Sequence, residues 1–152
     1  MTHHAASADL ESLVGTQFPP GEYVITHDVD EAFRSAVNAP PGSPGRAHPT
    51  FCHLATHVGK GVTFAELAEL VGSSNDAGFL FGGGSFTFHE QPRIGRRYLV
   101  RGGITAAESR IGARTGRFDV ITTSLDLVDP DTDALVATSV EHYICPREEP
   151  SA

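Results

Sequence analysis

Residues 47–57 read AHPTFCHLATH, with three histidines, a proline and a cysteine in eleven positions. Histidine titrates near neutral pH, so such a run can supply a general acid or base, or ligands to a metal. His53 and His57 are four residues apart, which on a helix puts both imidazoles on one face at a spacing that can bind zinc. A third ligand is not fixed: there is no HExxH, and His48 and His89 are candidates by type alone. No metal site is expected on that count. The glycines at 82–84 are not a phosphate loop, because no Lys-Ser/Thr follows and the run lies in a strand-like segment. Gly83 and Gly84 there suit a bulge or the close approach of a ligand. His89, beside Glu90, ends the same segment.

These residues must be positioned by a modest chain. Its 152 residues fit one domain, 1–152, with 1–6 and 148–152 expected to be flexible. A formal charge of −8 with Lys60 as the only lysine argues against nucleic acid, whose phosphates call for a basic stripe. Cys52 and Cys145 are too few for a disulfide framework and are expected as buried free thiols. No signal-type apolar region opens the chain and no run is long enough to span a bilayer, so a cytoplasmic protein without membrane contact is expected.

SADLESLVG reads as a short helix capped by Ser7 and ended by Gly15, and EYVIT as a strand. Thr26 or Asp28 opens a helix with Val29, Phe33 and Val37 on one face. NAPPGSPGRAHP, with four prolines and two glycines, is a loop. The helix from Pro49 places Phe51, Leu54, Ala55 and Val58 opposite His53 and His57. Thr63 and Glu66 form a capping box for a further helix closed by Gly72. Four β-rich runs follow, FLFGGGSFTFHE, RRYLVRGGITAAESRI, GRFDVITTSLDLV and ALVATSVEHYI. The short links between them predict sequential antiparallel neighbours, with EYVIT as a possible fifth strand. The fold class is α+β, an antiparallel sheet with an apolar helix against one face.

This order is similar to the hot-dog fold, a sheet wrapped around a central helix. It resembles more narrowly the MaoC-like dehydratases, in particular the N-terminal-type domain of FAS1-like dehydratases. LVGTQFPPGEYVIT, VDEAFRSAV, AHPTF, FGGGSFTFHEQPRIGRRYLVRGGI and DLVDPDTDALVATSVEHYI carry the resemblance over nearly the whole chain. It implies reversible hydration of an enoyl or 3-hydroxyacyl thioester of CoA or a carrier protein, with no other cofactor. It also implies a homodimer, or a heterodimer with another hot-dog protein. The central helix start would polarise the thioester carbonyl through the N–H groups of Thr50 and Phe51.

Hydratases of this family carry an Asp and, five residues on, a His in the segment before the central helix. Here that segment, NAPPGSPGRA, holds no Asp, Glu or His. A catalytic chain must therefore use other groups. His48, at the carbonyl's expected position, is the first candidate and His53, one turn inside, the second. His57, Gly83, Gly84 and His89 are expected to line the substrate site. Arg93, Arg96, Arg97 and Arg101 could attract the carrier's phosphates or simply guard a sheet edge. The missing dyad keeps a second function open, that of a non-catalytic subunit shaping the acyl tunnel. A third is a thioesterase or polyketide-type tailoring enzyme, for which Glu66 and Glu69 are the available helix carboxylates.

Overall fold

A computed structural model describes residues 9–147. Ser7 and the two chain ends expected to be flexible fall outside the described residues. Asp9 caps the first helix, α1 (Leu10–Leu13), by accepting the Glu11 N–H at 3.2 Å. Strand β1 (Gly21–Val24) leads to α2 (His27–Ala36), where the Thr26 hydroxyl accepts the Val29 N–H at 3.3 Å. Next come α3 (Phe51–Gly59) and α4 (Phe64–Leu70). The capping box of α4 forms as read: Thr63 N–H reaches Glu66 Oε2 at 2.7 Å, and Glu66 N–H reaches Thr63 Oγ1 at 3.1 Å. Strands β2 (Leu80–Phe88), β3 (Arg97–Gly112), β4 (Gly116–Val128) and β5 (Leu135–Pro146) complete the chain.

All five strands form one antiparallel sheet in the order β1-β3-β4-β5-β2. The expected fifth strand forms, over Gly21–Val24 rather than through Thr26, but β2 does not neighbour β3 as its short link suggested. It lies at the far edge, against β5. Residues 89–96 make the crossing. Three strand spacings are about 14 Å, and eight extended residues reach about 27 Å, so the link has ample length.

The sheet curls around α3, which touches every strand. The helix buries Phe51, Cys52, Ala55, Thr56 and Gly59. This stripe is rotated from the one read off the sequence, for Val58 is 65% exposed. Thr56 can sit inside because its hydroxyl bonds back to the Cys52 and His53 carbonyls at 3.1 and 2.8 Å. Ile121, Leu125, Leu127, Ile104 and Val100 supply the facing apolar surface. Of the expected apolar face of α2 only Phe33 packs on the core. Val29 and Val37 are exposed, and the buried residue is Asp30, which bonds Arg34 Nε at 2.8 Å and His48 N–H at 2.6 Å. Cys52 and Cys145 are buried free thiols as expected, and burial pushes Cys52 up to about 12 and Cys145 up to about 11.

Candidate functional site

One face of β5 carries Ser139, Glu141 and Tyr143 at alternate positions, all fully buried. They point at α3, whose polar face offers His53 and His57. His57 Nδ1 lies 3.1 Å from Glu141 Oε1. His53 Nδ1 lies 3.6 Å from the same oxygen and 3.2 Å from the Ser139 hydroxyl. The other carboxylate oxygen, Oε2, accepts the Tyr143 hydroxyl and has the Lys60 ammonium 3.9 Å away. Lys60 also donates to the His57 carbonyl at 2.7 Å, closing α3. A buried carboxylate is costly unless partnered, and this one is partnered on both oxygens.

The charges follow from these contacts. Burial raises the Glu141 carboxyl, but hydrogen bonds from His57 and Tyr143 and the Lys60 charge outweigh it and hold it below the ordinary value. Burial lowers His53, against the pull of Glu141. Lys60 is lowered by burial with Glu141 again opposing, and Tyr143 is raised by burial and by the adjacent carboxylate. The outcome is an ionised carboxylate facing two imidazoles whose side chains remain 23% and 31% exposed.

Strand β2 forms the outer wall. Phe81 lies 5.7 Å from both imidazole rings, and Phe86 stacks on His53 at 6.1 Å. In a regular strand residues 81 and 86 would point to opposite faces. A bulge between Phe81 and Gly83 changes the register, so that Phe81 opposes Tyr143 and Phe86 opposes Ser139. Gly84 then opposes Glu141 and leaves a gap between the two rings. A Cβ at Gly84 would lie 2.4 Å from the Val140 carbonyl oxygen, so only glycine allows β2 this close. Gly82 is the residue left unpaired at the bulge, and Gly83 beside it, opposite His142, sits at φ +144° with open space around it.

The structure divides the residues singled out from the sequence. His53 and His57 come together, with Gly83 and Gly84 opposite. His48 stands apart: Nδ1 accepts the Thr50 N–H at 3.3 Å, and the ring packs 5.0 Å from Phe33. Among the described residues no hydrogen bond, ion pair or ring contact joins His48 to His53, His57 or Glu141. The Phe51 N–H is taken by the His48 carbonyl at 3.0 Å. Both helix-start amides expected to hold a carbonyl are therefore already bonded within the chain. His89 is exposed, its N–H bonded to the Val136 carbonyl. Three of the four arginines face carboxylates: Arg96 with Asp129, Arg97 with Glu22 and Arg101 with Asp133.

Glu141, Tyr143, Lys60 and Ser139 were missed. In TSVEHYIC one phase holds Val140 and Ile144 and the other holds Ser139, Glu141 and Tyr143. The structure buries the latter phase, and His142 on the outer face bonds Thr122 at 3.0 Å. Polar residues at every second position of a central strand were the available signal.

The chain is similar to several solved structures. One is the ChsH1–ChsH2 complex from Mycobacterium tuberculosis, with a TM-score of 0.68, 16% identity and 97% of each chain covered. A second is C-terminally truncated HadBC, a 3R-hydroxyacyl-ACP dehydratase complex from the same organism. It has a TM-score of 0.61 and 18% identity, covering 87% of this chain and 96% of that one. A third is the R-hydratase PhaJ1 from Pseudomonas aeruginosa, with a TM-score of 0.58 and 10% identity over 91% and 88% of the two chains. At these identities the likeness is one of fold, and that fold is the hot-dog. No family model matches the sequence, and no curated protein does.

Proposed function

We propose that the chain acts on an acyl thioester, as a 3-hydroxyacyl dehydratase and enoyl hydratase of MaoC-like type whose acid/base group has moved onto the central helix. The observation that carries this reading is the 3.1 Å contact between His57 Nδ1 and the buried Glu141 carboxylate. A carboxylate on Nδ1 fixes the imidazole orientation and leaves the Nε2 lone pair to act as base. In hydration His57 takes a proton from water as its oxygen bonds to the β-carbon. The α-carbon then takes that proton from the His57 imidazolium, and dehydration reverses both transfers. The reaction asks for no cofactor beyond the CoA or phosphopantetheine that carries the acyl group. Phe81 and Phe86 provide an apolar wall for the chain.

Beyond this wall, the outer edge of β2 is unpaired among the described residues. Leu80, Phe81, Phe86 and Phe88 are 40 to 47% exposed on a nine-residue edge strand, a template for further pairing. A second hot-dog chain, identical or not, covers this edge in our account. Two of the fold relatives are named as two-component complexes, and this supports a second reading, a subunit whose partner does the chemistry. Hydration of short and long trans-2-enoyl-CoA by the purified chain alone separates the two. Turnover supports the first. None from a folded chain at any acyl length overturns it, and release of free thiol instead would indicate a thioesterase.

A further inference from the structure

His53, His57 and Glu141 bring one nitrogen, one nitrogen and one oxygen within 4.8 Å of one another. The ligand that the sequence did not provide is Glu141, 84 residues from His57. We infer that these three side chains bind one divalent transition-metal ion. The inference goes beyond the hydratase reading and stands on geometry alone.

Ligands about 2.0 to 2.1 Å from a zinc-type ion are themselves about 3.0 to 3.4 Å apart. The His57–Glu141 separation of 3.1 Å falls in that range, and the His53–Glu141 separation of 3.6 Å needs only a few tenths of adjustment. Both histidines bring Nδ1 to the same oxygen, Oε1, and the three donor atoms lie within 4.8 Å of one another. The remaining oxygen, Oε2, is held by Tyr143 and faces Lys60. Outer partners of this kind orient a monodentate carboxylate toward an ion. Two imidazoles with one carboxylate, and positions left open toward solvent, form the facial set that suits zinc, iron(II) or cobalt(II) over magnesium or calcium.

Lys60 opposes the ion, its ammonium 3.4 Å from His57 Nδ1. Removing that charge should therefore strengthen binding, whereas it would weaken a network whose only cation is the lysine. The ion would also take the His57 Nδ1 lone pair, leaving the ring proton on Nε2 and no base. Metal loading and hydration through His57 then exclude each other.

The test is a titration of chelator-treated protein with Co²⁺ and then Zn²⁺, in a background carrying His3→Ala and His4→Ala. This removes the adjacent N-terminal histidines as competing ligands. We expect one Co²⁺ per chain with visible ligand-field bands, displaced by one Zn²⁺. His53→Ala, His57→Ala and Glu141→Gln, each checked for native circular dichroism, should weaken binding by about a hundredfold or more, and Lys60→Met should tighten it. These losses should exceed the roughly 10- to 100-fold effects typical of outer partners. Non-saturable binding, or binding equal in the parent and in His57→Ala, overturns the inference. Because no substrate is present, a failed hydration assay does not bear on it.

Discussion

His57 and Glu141 lie 84 residues apart in the chain and 3.1 Å apart in space. The pairing joins the polar side of the central helix to the inner face of β5. It places a titratable ring against a fixed negative charge, beside the exposed edge of the sheet.

Glu141→Gln should cost stability through Lys60, which is 2% exposed and has Glu141 as its carboxylate neighbour. Leaving a buried ammonium without a counter-charge costs about 3 kcal/mol, limited by the lysine's ability to lose its proton. Urea unfolding at neutral pH should show a lower midpoint with an unchanged slope. Adding Lys60→Met should restore much of the loss. A double variant no more stable than Glu141→Gln would mean that the two charges are not coupled.

Acid should destabilise the fold in two stages. Burial holds His53 below the ordinary histidine value of 6.5, so the unfolded chain takes up its proton at higher pH than the folded one. Glu141 is held below its ordinary 4.5 because its hydrogen bonds and Lys60 outweigh burial. Both contributions are complete above the ordinary values and are lost as pH falls. Thermal melts from pH about 7.5 to about 4 should show Tm declining below 6.5 and more steeply below 4.5. His53→Gln should remove the upper stage. A Tm that is flat across that upper stage in the parent would contradict the assignment of His53.

Gly84→Ala tests the close approach of β2 to β5. The new methyl would meet the Val140 carbonyl oxygen at 2.4 Å, and backbone must shift to relieve it. A loss of about 1 to 3 kcal/mol is expected, as for other overpacked sites. Amide exchange should also speed up along β2. Protection unchanged in Phe86 and its neighbours would show that the strand had not moved.

Much of this architecture was legible in the residues. The β-rich runs became four long strands, Thr63 and Glu66 capped their helix, and the four-residue spacing of His53 and His57 put them on one face. What escaped lies where long-range pairing overrides local pattern. A short link did not reveal that β2 crosses to the far edge. In TSVEHYIC, burying Glu141 makes sense only once Lys60, Tyr143 and two histidines surround it. His48, expected at the carbonyl from its place before Pro49, has its ring nitrogen accepting the Thr50 N–H just before the helix. A conflict between local pattern and tertiary placement is expected at a functional site.

The most direct measurement compares enoyl-CoA hydration by the chelator-treated parent chain, His57→Ala and His48→Ala. We predict a fall of about 10² to 10⁴ in kcat for His57→Ala, the usual worth of a positioned acid or base. His48→Ala should lose about 1 kcal/mol of stability with its hydrogen bond to the Thr50 N–H but keep its turnover. Turnover that survives in His57→Ala and vanishes in a folded His48→Ala would contradict the account, returning the chemistry to the start of the helix.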